Sequence, residues 1–287
     1  MRKPPLLLLH GICNNANLFA VEGHGLGPYL SRFFDLYPVS YPLDRHRDRP
    51  WDFDFHMSED LPLIWKQVCD EAGEKPFVFG YSQGGMLAMA AQAHGVIDAP
   101  AIVTAGSPFS FPRIPIYPPL MKAWVKIASL TGYRTVPVKL GGRLLCVLFA
   151  AAAPPERVPD INLFRLLLKT ATVNVPVETF VQALHWMRTR NFTDRSGTIN
   201  YTERFVNIHT PVCLIYGSAD RIAPQSAVDA GYTAVSSQRK AIVGIPGGTH
   251  LSMTAGSQAA AISEITHAWC CKDCEEDEMP DRSSRFC

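Results

Sequence analysis

Phe77-Val78-Phe79-Gly80-Tyr81-Ser82-Gln83-Gly84 reads as an apolar strand that turns at a glycine, presents a serine and passes through a second glycine into a helix of small residues. A serine in that strand-turn-helix context is a nucleophile elbow, because the sharp turn lifts its hydroxyl to where a base can reach it. Gly80 and Gly84 carry no Cβ, so strand and helix can close around a serine held in a strained backbone conformation. The same five-residue pattern also occurs in ordinary glycine-rich turns. The assignment of Ser82 therefore rests on the rest of the chain.

Upstream, Pro5-Leu6-Leu7-Leu8-Leu9 is too short for a helix and reads as a buried strand that ends in His10-Gly11-Ile12. A loop at that place can stabilise the negative charge of acyl transfer through backbone N–H groups, and the expected oxyanion donors are Ile12 and Gln83. Gly11 permits close approach, and His10 is expected to brace the loop and not to serve as the base. Downstream, Pro211-Val212-Cys213-Leu214-Ile215-Tyr216 is another buried strand running into Gly217-Ser218-Ala219-Asp220. A last strand, Lys240 to Ile245, leads through Pro246-Gly247-Gly248-Thr249 to His250. Catalytic groups gather at such strand ends in open α/β sheets. Asp220 alone also suits a turn or a cap for a helix near Pro224-Gln225-Ser226, and His250 alone suits a solvated loop. In the order serine, aspartate, histidine they form a candidate triad, in which His250 takes the Ser82 proton and Asp220 fixes the imidazole. His94, His185, His209 and His267 fall on predicted helices or ahead of the strand at 211, which places them poorly for that role.

These motifs resemble the α/β-hydrolase superfamily over most of residues 5–269. The resemblance implies a mostly parallel sheet of about six strands flanked by helices, with an inserted helical cap. Two branches are similar to this chain. His10-Gly11-Ile12, Gly25-Leu26-Gly27-Pro28-Tyr29-Leu30 and Ser82-Gln83-Gly84 look like acid lipases, whereas Trp186-Met187-Arg188-Thr189 with Tyr201 looks like polyhydroxyalkanoate-synthase-type members. Those synthases use cysteine as nucleophile, and Ser82 in its place points to hydrolysis of an acyl-enzyme. The implied activity is that of a serine carboxylic-ester hydrolase, an esterase or lipase acting on an apolar acyl substrate with no metal and no other cofactor. An acyltransferase or thioesterase with the same triad is one alternative, and a non-catalytic small-ligand-binding module of this fold is another. The family commonly carries a hairpin before its oxyanion strand, but only Met1 to Pro4 precede Leu6 here. Either the sheet has six strands or an N-terminal piece is missing. Asp35-Leu36-Tyr37-Pro38-Val39-Ser40 then becomes the edge strand, a place that tolerates Pro38.

The chain has 287 residues, 47% of them hydrophobic, enough to fill the core of one large domain. A net charge of +1 leaves no broad basic field, which argues against a nucleic-acid partner. Met1-Arg2-Lys3 ahead of the leucines mimics a signal peptide, but the apolar run is short and leads into the oxyanion loop; it reads as a strand of a cytoplasmic enzyme. About a hundred residues separate Ala101-Ile102-Val103-Thr104-Ala105 from the strand at 212, far more than an ordinary connection. Residues 109–206 are accordingly expected to form the cap on a core of 1–108 and 207–269. The proline-rich stretch from Phe111 to Pro119 leads into it as a stiff hinge. Leu120, Trp124 and Ile127 share one helical face, and Phe180, Leu184 and Met187 another on a helix opened by Pro176. Arg143 to Ala150 is apolar all round yet too short to span a bilayer, and contact of the cap with a lipid surface or membrane is the alternative to its burial. Of the eight cysteines, Cys69, Cys146 and Cys213 are expected as buried free thiols and Cys13 as packing under the oxyanion loop. Cys270, Cys271, Cys274 and Cys287 sit in an acidic segment, 270–287, expected to be disordered, with a spacing that fits no standard zinc pattern.

Overall fold

Strand-forming leucine, valine and isoleucine runs set the architecture of the computed structural model, which describes residues 2–21, 23–41, 51–111, 122–123, 125–127, 130, 134–136 and 161–271. Six strands pair in parallel: β1 (Pro5–Leu9), β2 (Asp35–Pro38), β3 (Phe77–Tyr81), β4 (Ile102–Ala105), β7 (Val212–Gly217) and β8 (Lys240–Ile245), in the order β2-β1-β3-β4-β7-β8. Two further strands, β5 (Thr135–Val136) and β6 (Val175–Pro176), make a separate antiparallel pair. The edge position expected for the segment at residue 35 is the observed one. β2 bonds only to β1, and its Pro38 has no N–H to leave unpaired within a sheet.

Alternation along each strand builds two cores, one on each face. Leu7, Leu9, Val78, Ile102, Val212 and Leu214 face one side, and Leu6, Leu8, Phe79, Val103, Cys213 and Ile215 face the other. Burial on both faces is what a parallel sheet requires, and it explains why these strands read as continuous apolar runs. Each fully buried leucine of β1 contributes about 1.5–3 kcal/mol by leaving water. On the first face lie α1 (Leu61–Ala72) and α2 (Gln83–Ala93), the latter buried along nearly its whole length. On the second lie α3 (Ile161–Thr170), through Leu163 and Leu167, and α6 (Ala259–Cys270). The helix expected after Pro176 is α4 (Val177–Thr189), and Phe180, Leu184 and Met187 pack from it against the first core. The short helix α5 (Gln225–Ala234) packs against β7 and β8.

The described parts of segment 109–206 are tied closely to the core. Phe192, Tyr201 and Phe205 are buried in the cluster that contains Phe53 and the strand side chains. Gln182 of α4 accepts from the Phe53 N–H at 3.0 Å and donates to Asp54 at 2.7 Å, while the Thr179 hydroxyl donates to the Trp51 carbonyl at 2.9 Å. Ile127, expected on a helical face with Leu120 and Trp124, is exposed; those two partners, most of the proline-rich stretch and Arg143 to Ala150 lie outside the described residues.

Two cysteine expectations need correction. Cys69 is only partly buried, because it sits on the flank of α1, while Cys213 in β7 is buried as expected and Cys146 is outside the described residues. Cys270 does not begin a loose tail: it is the last residue of α6, its thiol is buried in the second core, and Cys271 packs partly against the same cluster. The helix runs one residue past the expected boundary at 269, and residues 272–287, with Cys274 and Cys287, lie outside the described residues. Among the described residues, no helix is long and apolar enough to cross a membrane, and no three His, Cys, Asp or Glu side chains converge as a metal site.

Candidate active site

The register of the sheet brings the candidate residues to one edge. Leu9 lies opposite Gly80, Tyr81 opposite Ala105 and Ala105 opposite Ile215, so the residues that follow β1, β3, β4 and β7 all leave the sheet at its carboxyl end. Ser82 follows β3 directly and adopts φ 53°, ψ −121°, a region that L-residues rarely occupy and that costs of order 1–3 kcal/mol. Its N–H donates to the Ala105 carbonyl at 2.9 Å, and α2 starts at the next residue. A Cβ on Gly84 would lie 2.2 Å from the Leu9 carbonyl oxygen, and one on Gly80 would lie 2.4 Å from the Gly85 Cα. The two glycines are thus required by close packing, as the motif implied.

Ser82, His250 and Asp220 form an unbroken line. The Ser82 hydroxyl is 3.1 Å from His250 Nε2, and His250 Nδ1 is 2.7 Å from Asp220 Oδ2. A buried carboxylate only accepts, so Nδ1 is the protonated nitrogen and Nε2 keeps the lone pair that faces the serine. The other Asp220 oxygen, Oδ1, accepts the Ile222 and Ala223 N–H groups at 2.8 and 2.9 Å. Both sequence readings of this residue hold together: one oxygen organises a turn ahead of α5, and the other orients the histidine. His250 is held from its backbone by the Tyr81 hydroxyl, which donates to its carbonyl at 3.1 Å. Gly106, which the motifs did not single out, sits behind the pair at φ +59°, where a Cβ would be 3.3 Å from both Asp220 Oδ2 and His250 Nδ1. No sequence pattern marks it, since its partners arrive from loops over a hundred residues away.

The expected oxyanion donors share a cavity of about 290 Å³. Gln83 is the first residue of α2, so its N–H has no intrahelical acceptor. The Ile12 N–H makes no hydrogen bond within the described protein. The loop that carries Ile12 is stitched to the inserted segment: the Asn15 N–H donates to the Ala171 carbonyl and the Val173 N–H to the Cys13 carbonyl, both at 2.9 Å. Ile12 and Cys13 also pack against Val136 and Val175 of the β5/β6 pair. Burial pushes the Cys13 thiol up to about 12, so it stays protonated and acts as packing. His10 is buried, and its Nδ1–H donates to the Gly11 carbonyl at 2.9 Å. Burial lowers its pKa to about 4, the carbonyl and His56 being smaller influences, and the neutral ring stacks at a tilt on Tyr41 with 4.6 Å between centroids. The bracing place expected for His10 is where it stands. Sequence reading missed Tyr41, Trp51 and His56, which line the same cavity, and Asp60, which is bonded to His56 behind them; an i,i+4 His/Asp pattern was the available signal, but it is common on helix surfaces.

The family model for the alpha/beta hydrolase family matches residues 6–265, and the chain belongs to that family. Its fold is shared with a monoacylglycerol lipase from Paleococcus ferrophilus (TM-score 0.64, 15% identity, covering 94% of this chain and 96% of the other). It is likewise similar to a thermophilic esterase from Thermogutta terrifontis (TM-score 0.66, 14% identity, 94% and 90% covered). A putative non-heme bromoperoxidase from Mycobacterium tuberculosis is also similar (TM-score 0.62, 13% identity, 87% and 85% covered). At these identities the likeness establishes the fold, and proteins of this fold are named for different activities, so the activity of this chain has to be argued from its own site. No match is found among curated proteins.

Proposed function

We propose that the protein is a serine carboxylic-ester hydrolase that works through an acyl-enzyme. The observation that carries this reading is the line from Ser82 through His250 to Asp220, with hydrogen-bond contacts at both joints and the carboxylate fully engaged. In the reaction, Ser82 Oγ attacks the ester carbonyl while its proton passes to His250 Nε2, and the carbonyl oxygen takes the negative charge beside the Ile12 and Gln83 N–H groups. Collapse breaks the bond to the alcohol oxygen, which leaves with the proton from Nε2. Water then repeats the sequence on the acyl-enzyme and releases the acid. Buried Asp220 favours the imidazolium formed at each step. An acceptor other than water would make the same site an acyltransferase, and a thioester would differ only in its leaving group.

The test is covalent. A fluorophosphonate probe should label the wild-type protein at Ser82 and leave Ser82→Ala unlabelled, and the variant should lose about 10⁴ to 10⁶ in kcat on p-nitrophenyl butyrate. A folded Ser82→Ala protein that turns the ester over within tenfold of wild type would remove the nucleophile and with it the proposal.

A further inference from the structure

The cavity that holds the oxyanion donors is lined by His56, one member of a second histidine–aspartate pair that the mechanism does not use. His56 and Asp60 occupy one helical turn after Trp51, and His56 Nδ1 donates to Asp60 Oδ2 at 2.8 Å. The Trp51 indole N–H donates to the same oxygen at 3.2 Å. His56 is 6% exposed, it lines the cavity, and no hydrogen bond engages its Nε2. With Nδ1–H committed to the carboxylate, Nε2 of the neutral ring is a lone-pair acceptor. Tyr41 and Trp51 flank the imidazole at 4.4 and 4.7 Å between centroids and hold it in place.

We infer that this cavity is the acyl subsite and that the His56–Asp60 pair selects an acyl group carrying a hydrogen-bond donor, a hydroxyl foremost, over the matching alkyl group. The inference rests on the hydrolase reading above and names the substrate class of that same site. Three observations support it. First, Gly11, Ile12 and Gln83 line the cavity, whereas neither Ser82 nor His250 does, so it opens beside the expected oxyanion donors and past the serine. The leaving oxygen has to stay beside His250 to receive its proton, so the group that extends past the oxyanion donors belongs to the acyl side. Second, about 290 Å³ lies at the low end of ligand pockets, which fits a compact acyl group. Third, the polar chemistry of the wall is that of an acceptor. His56 lines the cavity and no protein group among the described residues is bonded to its Nε2, so a donor on the acyl group can take that place. A carboxylate accepts from the Nδ1 side of His56, which leaves a neutral donor as the fitting partner for Nε2. Val173, Val175 and Pro176 supply the apolar wall for the carbons between.

The experiment uses the full chain and isosteric p-nitrophenyl ester pairs in which a hydroxyl replaces a methyl: 3-hydroxybutyrate against 3-methylbutyrate, and 2-hydroxypropanoate against 2-methylpropanoate. A site built around a hydroxyl discriminates strongly against the analogue that lacks it. At least one pair should show a preference of tenfold or more in kcat/KM for the hydroxy ester. In His56→Phe and His56→Leu, checked for folding by circular dichroism, that ratio should collapse to within threefold whatever happens to absolute rates. A wild-type ratio under tenfold in both pairs overturns the inference even if neither variant folds, and so does a preference that survives in a folded variant. Failure here is distinguishable from failure beneath: Ser82-dependent cleavage of both esters without preference sinks only the subsite, whereas no Ser82-dependent cleavage of any ester sinks the hydrolase reading.

Discussion

Two histidine–aspartate pairs stand near the carboxyl ends of the strands and differ in almost everything except their own geometry. Both join Nδ1 to Oδ2, at 2.7 Å for His250–Asp220 and 2.8 Å for His56–Asp60, and both carboxylates are buried. The first pair joins two loops at strand ends, its spare oxygen is filled by two backbone N–H groups, and its Nε2 meets a serine in a strained turn. The second joins residues one helical turn apart, is braced by an indole, and turns its Nε2 toward a cavity. An imidazole tied to a carboxylate is therefore only half of a base. What it does is decided by the group placed against its free nitrogen, and here the sheet supplies that group to one pair and leaves the other for a ligand.

Replacing the acid in each pair breaks the comparison most sharply. Asp220→Asn keeps the shape but can hold His250 in the wrong tautomer and cannot stabilise its cation, so kcat should fall by about 10⁴ with a smaller change in KM. Asp60→Asn should cost at least about a hundredfold less in kcat and instead lower the urea midpoint, by a loss of about 1–3 kcal/mol in stability. Equal losses of kcat in the two variants would erase the distinction drawn between the pairs.

His10 provides a third arm, an imidazole tied to a carbonyl and to no carboxylate. Its folded pKa of about 4 lies below the roughly 6.5 of an unfolded chain, so the unfolded state binds the extra proton between those values. The stability this neutral ring contributes is full above pH 6.5 and is lost as pH falls toward 4, by about 3 kcal/mol. Urea titrations at pH 7 and pH 4 should show that loss shrinking by a similar amount in His10→Gln; an identical loss in variant and wild type would mean that His10 is not the titrating group.

The smallest effect concerns Gly106, which backs only the His250 pair. Gly106→Ala adds a methyl at 3.3 Å from both members and places a side chain at positive φ, so it should shift the pair and lower kcat by about ten- to a hundredfold. Measured kcat equal to wild type would show that the pair has room to spare behind it.

Much of this was legible in the sequence because the informative residues announce themselves locally. Ser82 lies between two glycines, Asp220 and His250 follow apolar runs, and the segment at residue 35 was readable as the edge strand of the sheet those runs build, whereas the strand order was not. What stayed hidden depends on chain segments meeting. Gly106 matters through residues at 220 and 250, Tyr41 through His10 and His56, and Cys270 because the last residue of its helix packs into the second core. His56–Asp60 is local, yet only the cavity beside it separates it from any surface pair four residues apart. The apolar acyl preference was read from composition, which counts side chains without saying which of them face the cavity.

The two backbone bonds from residues 13 and 15 to 173 and 171 carry a lesson for anyone who would re-engineer this molecule. The insertion cannot be treated as an exchangeable cover, because the strip that grips the Ile12 turn belongs to it. A chimera that replaces residues 171 and 173 with a foreign segment would keep Ser82, His250 and Asp220 and lose these two bonds to the turn proposed to hold the oxyanion. On heating, inactivation should follow the parting of this seam, ahead of the melting of the sheet beneath it.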